Sequence, residues 1–287
     1  MKSLQKLDQM AQYKDFLGLG IAGNFALHLD QAGEAEDFKD IITADEAAPK
    51  GMFPFYLPLH VDTAKEILNT YPLSSDTIKL PNSNVNVQAE PEVGLICKLE
   101  YDNKKLSKII PTHFGAYNDC SIRIKGAAKI SDKKNWGEAS KGISDNLFKI
   151  DKFSDGGVMD DYRICSFLRR DGEVHAYGED VELSGYSYFH EKLLDWMTNQ
   201  INTQKDFGPL EPLSEYISTC TEPKEAIISI GATRYTPYGE STFLKAADEV
   251  IIVVYNAKKA LHVEVLQSIK NSKYNTDSMS VLAQKVI

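Results

Sequence analysis

The chain has 287 residues, 43% hydrophobic and 25% charged, with a net charge of −9 and a pI near 5.2. That balance is ordinary for a globular protein, and it argues against a broad nucleic-acid face, which needs clustered Lys and Arg. No apolar run approaches the roughly 20 residues of a membrane helix. The opening M-K-S-L-Q-K-L-D-Q-M lacks the apolar core of an export signal. Cys97, Cys120, Cys165 and Cys220 are widely spaced, without a C-x-x-C pair. They are expected to be reduced thiols in a cytoplasmic protein.

In chain order, residues 1–14 read as a short helical or loose lead-in. Phe16 to Leu29 (F-L-G-L-G-I-A-G-N-F-A-L-H-L) spaces Gly18, Gly20 and Gly23 as G-x-G-x-x-G. A dinucleotide site would need a helix next and an acidic residue about 20 positions on, for which Asp40 or Asp45 serves loosely. The rest of the chain does not alternate strand and helix, so this reading is set aside. Gly51 to Leu59 is a compact apolar run with two prolines, and Tyr71 to Leu80 is turn-rich. Pro81 is taken as the boundary between a small N-terminal part, 1–80, and the main domain, 81–287.

Glu90 and Glu92 sit two apart, so on a strand both carboxylates face the same way. The run V-G-L-I-C after them reads as a buried strand, and Asp119 follows in a short polar turn. Three carboxylates, with no basic residue between Glu90 and Glu92, would repel one another in a pocket unless a cation joins them, and hard oxygen donors suit Mg²⁺ or Mn²⁺. The plainer alternative is the solvated face of an edge strand. Pro91 between them lacks an N–H and suggests an edge or a bulge. Tyr162 to Val174 reads as a hairpin turning at Asp171–Gly172. Phe189, Leu193, Trp196, Met197 and Ile201 have helical spacing, and Asp206 to Pro212 breaks it. Ile227 to Val254 carries two apolar strand runs. From Leu261 onward the spacing is helical.

The stretch Glu90-Pro91-Glu92, with Asn118-Asp119-Cys120-Ser121-Ile122-Arg123 after it, resembles the fumarylacetoacetate hydrolase family. That family has a Glu-x-Glu strand and a later Asn-Asp-x-Ser-x-Arg. Further matches come in the family's order between about Asp15 and Asn256: Asn24 to His28 as Asn-aromatic-x-x-His, Phe55 and Pro58, Lys141, and the turn Thr236-Pro237-Tyr238-Gly239. Gly231 and Thr233 fit that turn equally well if two residues are inserted. The resemblance implies an α+β fold of layered mixed sheets rolled around a metal site, usually in homodimers. It implies Glu90, Glu92 and Asp119 as ligands of Mg²⁺ or Mn²⁺, His28 as general base, and Lys141 beside the developing enolate. Thr236, with Thr233 second, and Gln31 would face the substrate.

Three departures stand out. Gln31 replaces the Glu that orients the family's histidine, with Asp30 and Glu34 nearby but out of register. Leu57 replaces a lysine. The Pro-x-Gly-Pro segment gives way to L-F-K-I-D-K-F. Two functions therefore compete. One is a metal-dependent enzyme acting on a small 2-oxo or 1,3-dioxo acid, as C–C hydrolase, decarboxylase or isomerase. The other is a metal-binding protein of the same fold without hydrolase activity, structural or ligand-sensing. Neither a nucleic acid nor a membrane is an expected partner.

Overall fold

A computed structural model of the chain describes residues 11–43, 45–58, 65–124 and 126–287. Most of the lead-in, 1–10, and the end of the apolar run at residue 59 lie outside these. The strands in chain order are β1 Leu17–Ala22, β2 Gly51–Tyr56, β3 Leu73–Ser74, β4 Thr77–Ile78 and β5 Asn86–Gln88. Next come β6 Pro91–Asp102, β7 Lys105–Asn118, β8 Ser121–Arg123, β9 Lys141–Ile143 and β10 Phe148–Lys149. The last are β11 Tyr162–Arg170, β12 Glu173–Glu182, β13 Glu225–Ser229, β14 Glu249–Asn256 and β15 Met279–Val286. The larger sheet runs β2-β1-β13-β6-β7-β9-β3 with β10 beside β7; the second runs β12-β11-β14-β15-β4; β5 and β8 form a separate ribbon. This is the expected α+β architecture of layered mixed sheets. Among the described residues no helix is long and apolar enough to cross a membrane.

The main core joins the two sheets. Leu95, Phe114 and Ile228 from the first meet Ile164, Ile252 and Leu282 from the second. Along β6, Val93, Leu95, Cys97 and Leu99 enter this core, so strand alternation turns Glu92 and Ile96 to the opposite face. There a second cluster gathers Phe53, Phe55, Tyr117, Ile143 and Ile227. Gly18 and Gly20 belong to β1, not to a phosphate loop. A Cβ on either would come within 2.3 Å of the ring of Phe55 or Phe53, so the glycines make room for those rings.

Pro91 is neither at an edge nor in a bulge. It is the first residue of β6, which lies between β13 and β7, a position that proline tolerates. The hairpin β11–β12 turns at Asp171 (φ 53°) and Gly172 (φ 85°), as a type I′ turn requires. The helix His190–Thr203 buries Leu193, Met197 and Ile201. Strands on both sides of Pro81 share the larger sheet, and β4 pairs in parallel with β15. The tail is only half helical: His262–Asn271 is a helix, but Met279–Val286 is strand β15, paired with β14 and β4.

Candidate functional site

After β1 ends at Ala22, Gly23 takes φ +76°, open to glycine, and the chain turns over the second face of the larger sheet. Buried Asn24 fixes that turn. Its Nδ2 donates to the carbonyls of Tyr188 (3.0 Å) and Ile230 (2.8 Å), and its Oδ1 accepts the Tyr188 N–H at 2.9 Å. The short helix His28–Gln31 then brings in His28, which is buried, with Nδ1 2.9 Å from the Thr233 carbonyl. A carbonyl can only accept, so Nδ1 carries the proton and Nε2 of the neutral ring keeps its lone pair. Burial lowers the pKa of His28 to about 4, with Glu90 opposing and Arg123 assisting.

Glu90, Glu92 and Asp119 converge beside it. All are buried, and their oxygens lie within 4.8 Å of one another. Asp119 is held by its N–H on the Glu90 carbonyl (3.0 Å), and Asn118 Oδ1 accepts the Glu90 N–H at 3.2 Å. Cations meet the carboxylates. Arg123 of β8 lies 2.9 Å from Glu90 Oε1 and donates to Glu34 at 2.6 Å. Lys134, which ends the 3₁₀ turn Ile130–Lys133, places Nζ 2.5 Å from Glu90 Oε2 and 2.7 Å from Asp119 Oδ2. Lys141, the first residue of β9, pairs with Asp119 Oδ1.

The electrostatics follow from this sharing. Burial works against the charge of Lys134, but Asp119 and Glu90 outweigh it and hold its pKa above the ordinary lysine value. Glu90 answers in kind: burial opposes its charge, while Lys134 and Arg123 hold its pKa well below the usual range. Lys141 fares worse, because burial and the neighbouring Lys134 lower its pKa while Asp119 supports it. Among the described residues no cation pairs with Glu92. Burial, then Asp119 and Glu90, raise its pKa well above the ordinary value, while its Oε2 accepts the Gly231 N–H at 2.9 Å. Of the three carboxyls, Glu92 is therefore the one whose surroundings most favour the proton.

Of the remaining expected residues, Thr233 lies against His28, but with its backbone. Its N–H and hydroxyl both turn to the Pro91 carbonyl (3.0 and 3.3 Å). Thr236 caps the helix Pro237–Ser241: its hydroxyl accepts the Gly239 N–H at 3.2 Å and donates to the Ala176 carbonyl at 2.7 Å. Gln31 is no partner of His28, since both ends of its amide are committed to Tyr235. Oε1 accepts the N–H at 2.9 Å and Nε2 donates to the carbonyl at 3.1 Å. Glu34 closes over the cluster through Arg123 and Lys133 (2.9 Å). Sequence reasoning gave no role to Lys134, Arg123 or Gln284. Gln284 of β15 is buried; its Oε1 accepts from Asn118 at 2.9 Å and its Nε2 donates to carbonyls of Ser74 and Thr77 at 3.1 Å.

The cavity that His28, Glu34, Glu90, Glu92 and Lys134 border holds about 10 Å³, room for roughly one water. A larger hollow of about 770 Å³, lined among others by Phe16, Ile96, His113 and Lys149, shares none of these residues.

A family model described as a family of unknown function, DUF5718, matches residues 34–286. The chain belongs to this family. No curated protein matches it. Among solved structures, a yeast fumarylacetoacetate hydrolase family protein aligns at TM-score 0.52 and 17% identity, over 95% of this chain and 94% of that one. A fumarylacetoacetate hydrolase family protein from Yersinia pestis CO92 aligns at TM-score 0.50 and 13% identity, over 94% and 93%. This DUF5718 chain thus has the fumarylacetoacetate hydrolase fold, as its motifs implied.

That fold raises the question of a metal. The donors of the DUF5718 chain are of the right kind, since three buried carboxylates lie close together. Their oxygens are committed, however. Both oxygens of Glu90 and both of Asp119 face a guanidinium or an ammonium. Glu90 Oε1 and Asp119 Oδ2 are faced by these cations at ion-pair distance but accept no hydrogen bond of good geometry. As placed, the ammonium of Lys134 stands between two of these carboxylates, where a divalent ion would have to sit, and the side chains in this arrangement do not fit one.

Proposed function

We propose that the chain is an enzyme that forms and stabilises the enolate of a small 2-oxo or 1,3-dioxo acid, by decarboxylation or C–C cleavage, and exchanges its α-protons through the same enolate. The observation that carries this reading is the fixed tautomer of His28: Nδ1 bound to the Thr233 carbonyl, so that Nε2 keeps its lone pair, beside a cluster rich in cations. In decarboxylation the C–C bond to the departing carboxylate breaks in the keto form, its pair becomes the enolate and CO₂ leaves. In α-proton exchange the C–H bond next to the keto group breaks instead. Its electron pair becomes the enolate and its proton goes to Nε2. Lys134, Lys141 and Arg123 stabilise the developing oxyanion and the substrate carboxylate. Substrate enters when the segment bearing Glu34 swings off Arg123 and Lys133. A carbonyl behind His28 supports its cationic form less than a carboxylate would, which favours decarboxylation over hydrolysis, where water must be deprotonated. A homodimer, as the family resemblance implies, is part of the proposal, and sedimentation checks it.

The test is exchange of the substrate's α-protons for deuterium in D₂O, followed by NMR on oxaloacetate analogues and an acylpyruvate, with and without Mg²⁺. Exchange is expected with the wild type and is expected to fall by about 10²–10⁴ in His28→Asn. Absence of exchange in every acid would leave the second reading, a fumarylacetoacetate hydrolase fold kept for a structural or ligand-sensing task. The cavity of about 10 Å³ favours that reading, since it admits no substrate while closed.

A further inference from the structure

We infer that the ammonium of Lys134 is the resident cation of this site and that the protein needs no divalent metal there. Three observations converge. First, Nζ bridges Glu90 Oε2 at 2.5 Å and Asp119 Oδ2 at 2.7 Å, joining two of the carboxylates that a metal would join. Second, the ammonium is built in. Lys134 is 4% exposed and lies over the Phe53 ring at 5.3 Å. Its neighbour Asn135 is a buried clamp, with Nδ2 donating to the carbonyls of Phe55 (2.8 Å), Thr70 (3.0 Å) and Ile67 (3.2 Å). Asn135 Oδ1 accepts the Gly137 N–H at 2.9 Å. The backbone carrying Lys134 is therefore fixed by hydrogen bonds to β2 and to the segment 67–70. It is not a surface lysine that happened to fold inward.

Third, the charges close without a metal. Arg123 takes the remaining Glu90 oxygen and Lys141 the remaining Asp119 oxygen. A divalent ion would add two positive charges next to ammonium groups already held by the same oxygens. An ammonium also differs in kind from a metal. It donates hydrogen bonds along three directions and accepts no ligand bond, so it can polarise a substrate oxygen but cannot chelate a 2-oxo acid through two of its oxygens. Ligand recognition here would accordingly rest on charge-assisted hydrogen bonds from Lys134 and Arg123.

The inference rests on this cluster being the site but not on turnover, so it is tested by metal uptake and stability. Free Mn²⁺ is followed by EPR as purified full-length protein is titrated in, and thermal unfolding is recorded with EDTA and with millimolar Mg²⁺. The wild type is expected to take up no stoichiometric Mn²⁺ and to keep its Tm in both additives. Lys134→Met leaves Glu90 and Asp119 without their shared ammonium; its Tm is expected to fall by roughly 10 °C. Mg²⁺ or Mn²⁺ should recover at least half of that fall, with one Mn²⁺ taken up per chain. Stoichiometric Mn²⁺ uptake by the wild type, with a rise in Tm, overturns the inference even if Lys134→Met does not fold. A folded Lys134→Met with unchanged Tm overturns it as well. Neither result bears on α-proton exchange, which a metal-loaded site could equally perform.

Discussion

At the scale of single residues, Gln31 shows how position changes meaning. By motif it stands where relatives carry the carboxylate that orients the histidine. In the fold its amide holds the Tyr235 N–H and carbonyl together. A glutamate there could still accept but could not donate, and it would bring a negative charge facing a carbonyl. Gln31→Glu is therefore expected to cost about 1–3 kcal/mol of stability, read by urea denaturation, and to bring no gain in rate. Glu90, Glu92, Asp119 and His28 were legible as a group because strand alternation and motif order both pointed at them. Lys134 was not. It sits in the charged run K-I-S-D-K-K-N-W, where nothing in one sequence distinguishes a buried ammonium from a solvated one. The pairing of Lys133 with Glu34 and Lys134 with Glu90 needs a fold that brings positions far apart in the chain together.

At the scale of elements, the hairpin β11–β12 and the helix His190–Thr203 could be read from turn chemistry and from helical spacing. β15 could not. Met279, Ser280, Leu282, Gln284 and Val286 are all buried. A strand packed on both faces mixes apolar and polar positions without clean alternation, and the preceding helix invites extending its period. This strand matters to the site through Gln284, which ties Asn118, the residue before Asp119, to carbonyls of β3 and β4. Gln284→Leu keeps the volume but strands those groups in the interior. It is expected to lower stability by about 2–4 kcal/mol, measured by chemical denaturation, and to weaken α-proton exchange through the displaced Asp119.

For the whole molecule, His28 and Glu90 each make stability fall with acid, while Glu92, whose pKa is raised, works the other way. Above 4.5 the unfolded chain gives up a proton that folded Glu92 tends to keep, so that contribution is lost as pH rises. Unfolded His28 takes up a proton near 6.5 and folded His28 only near 4, so between those values the unfolded chain binds more protons and stability rises with pH. This contribution is complete above pH 6.5 and lost on the way down to 4; its full size is roughly 3 kcal/mol. Glu90, whose pKa is lowered, adds a loss of the same sign, below its unfolded value of 4.5. Urea denaturation at pH 7 and pH 4.5, wild type beside His28→Gln, isolates the histidine contribution: the substituted protein should gain less stability, or lose more, on going from pH 4.5 to pH 7. The layered fold and the order of its motifs were legible from the chain as a whole, whereas the pairings β1–β13 and β3–β9, which carry the larger sheet across Pro81, were not, because they join positions far apart in the chain. One more feature gives this closed interior a clock. Cys120 follows Asp119 directly, is fully buried, and has its thiol pushed up to about 12 by burial. A thiol so placed is inert to alkylating reagents until the cluster is uncovered, and its modification can be located by mass spectrometry. The labelling rate of this one sulfur thus counts the openings through which any guest must pass.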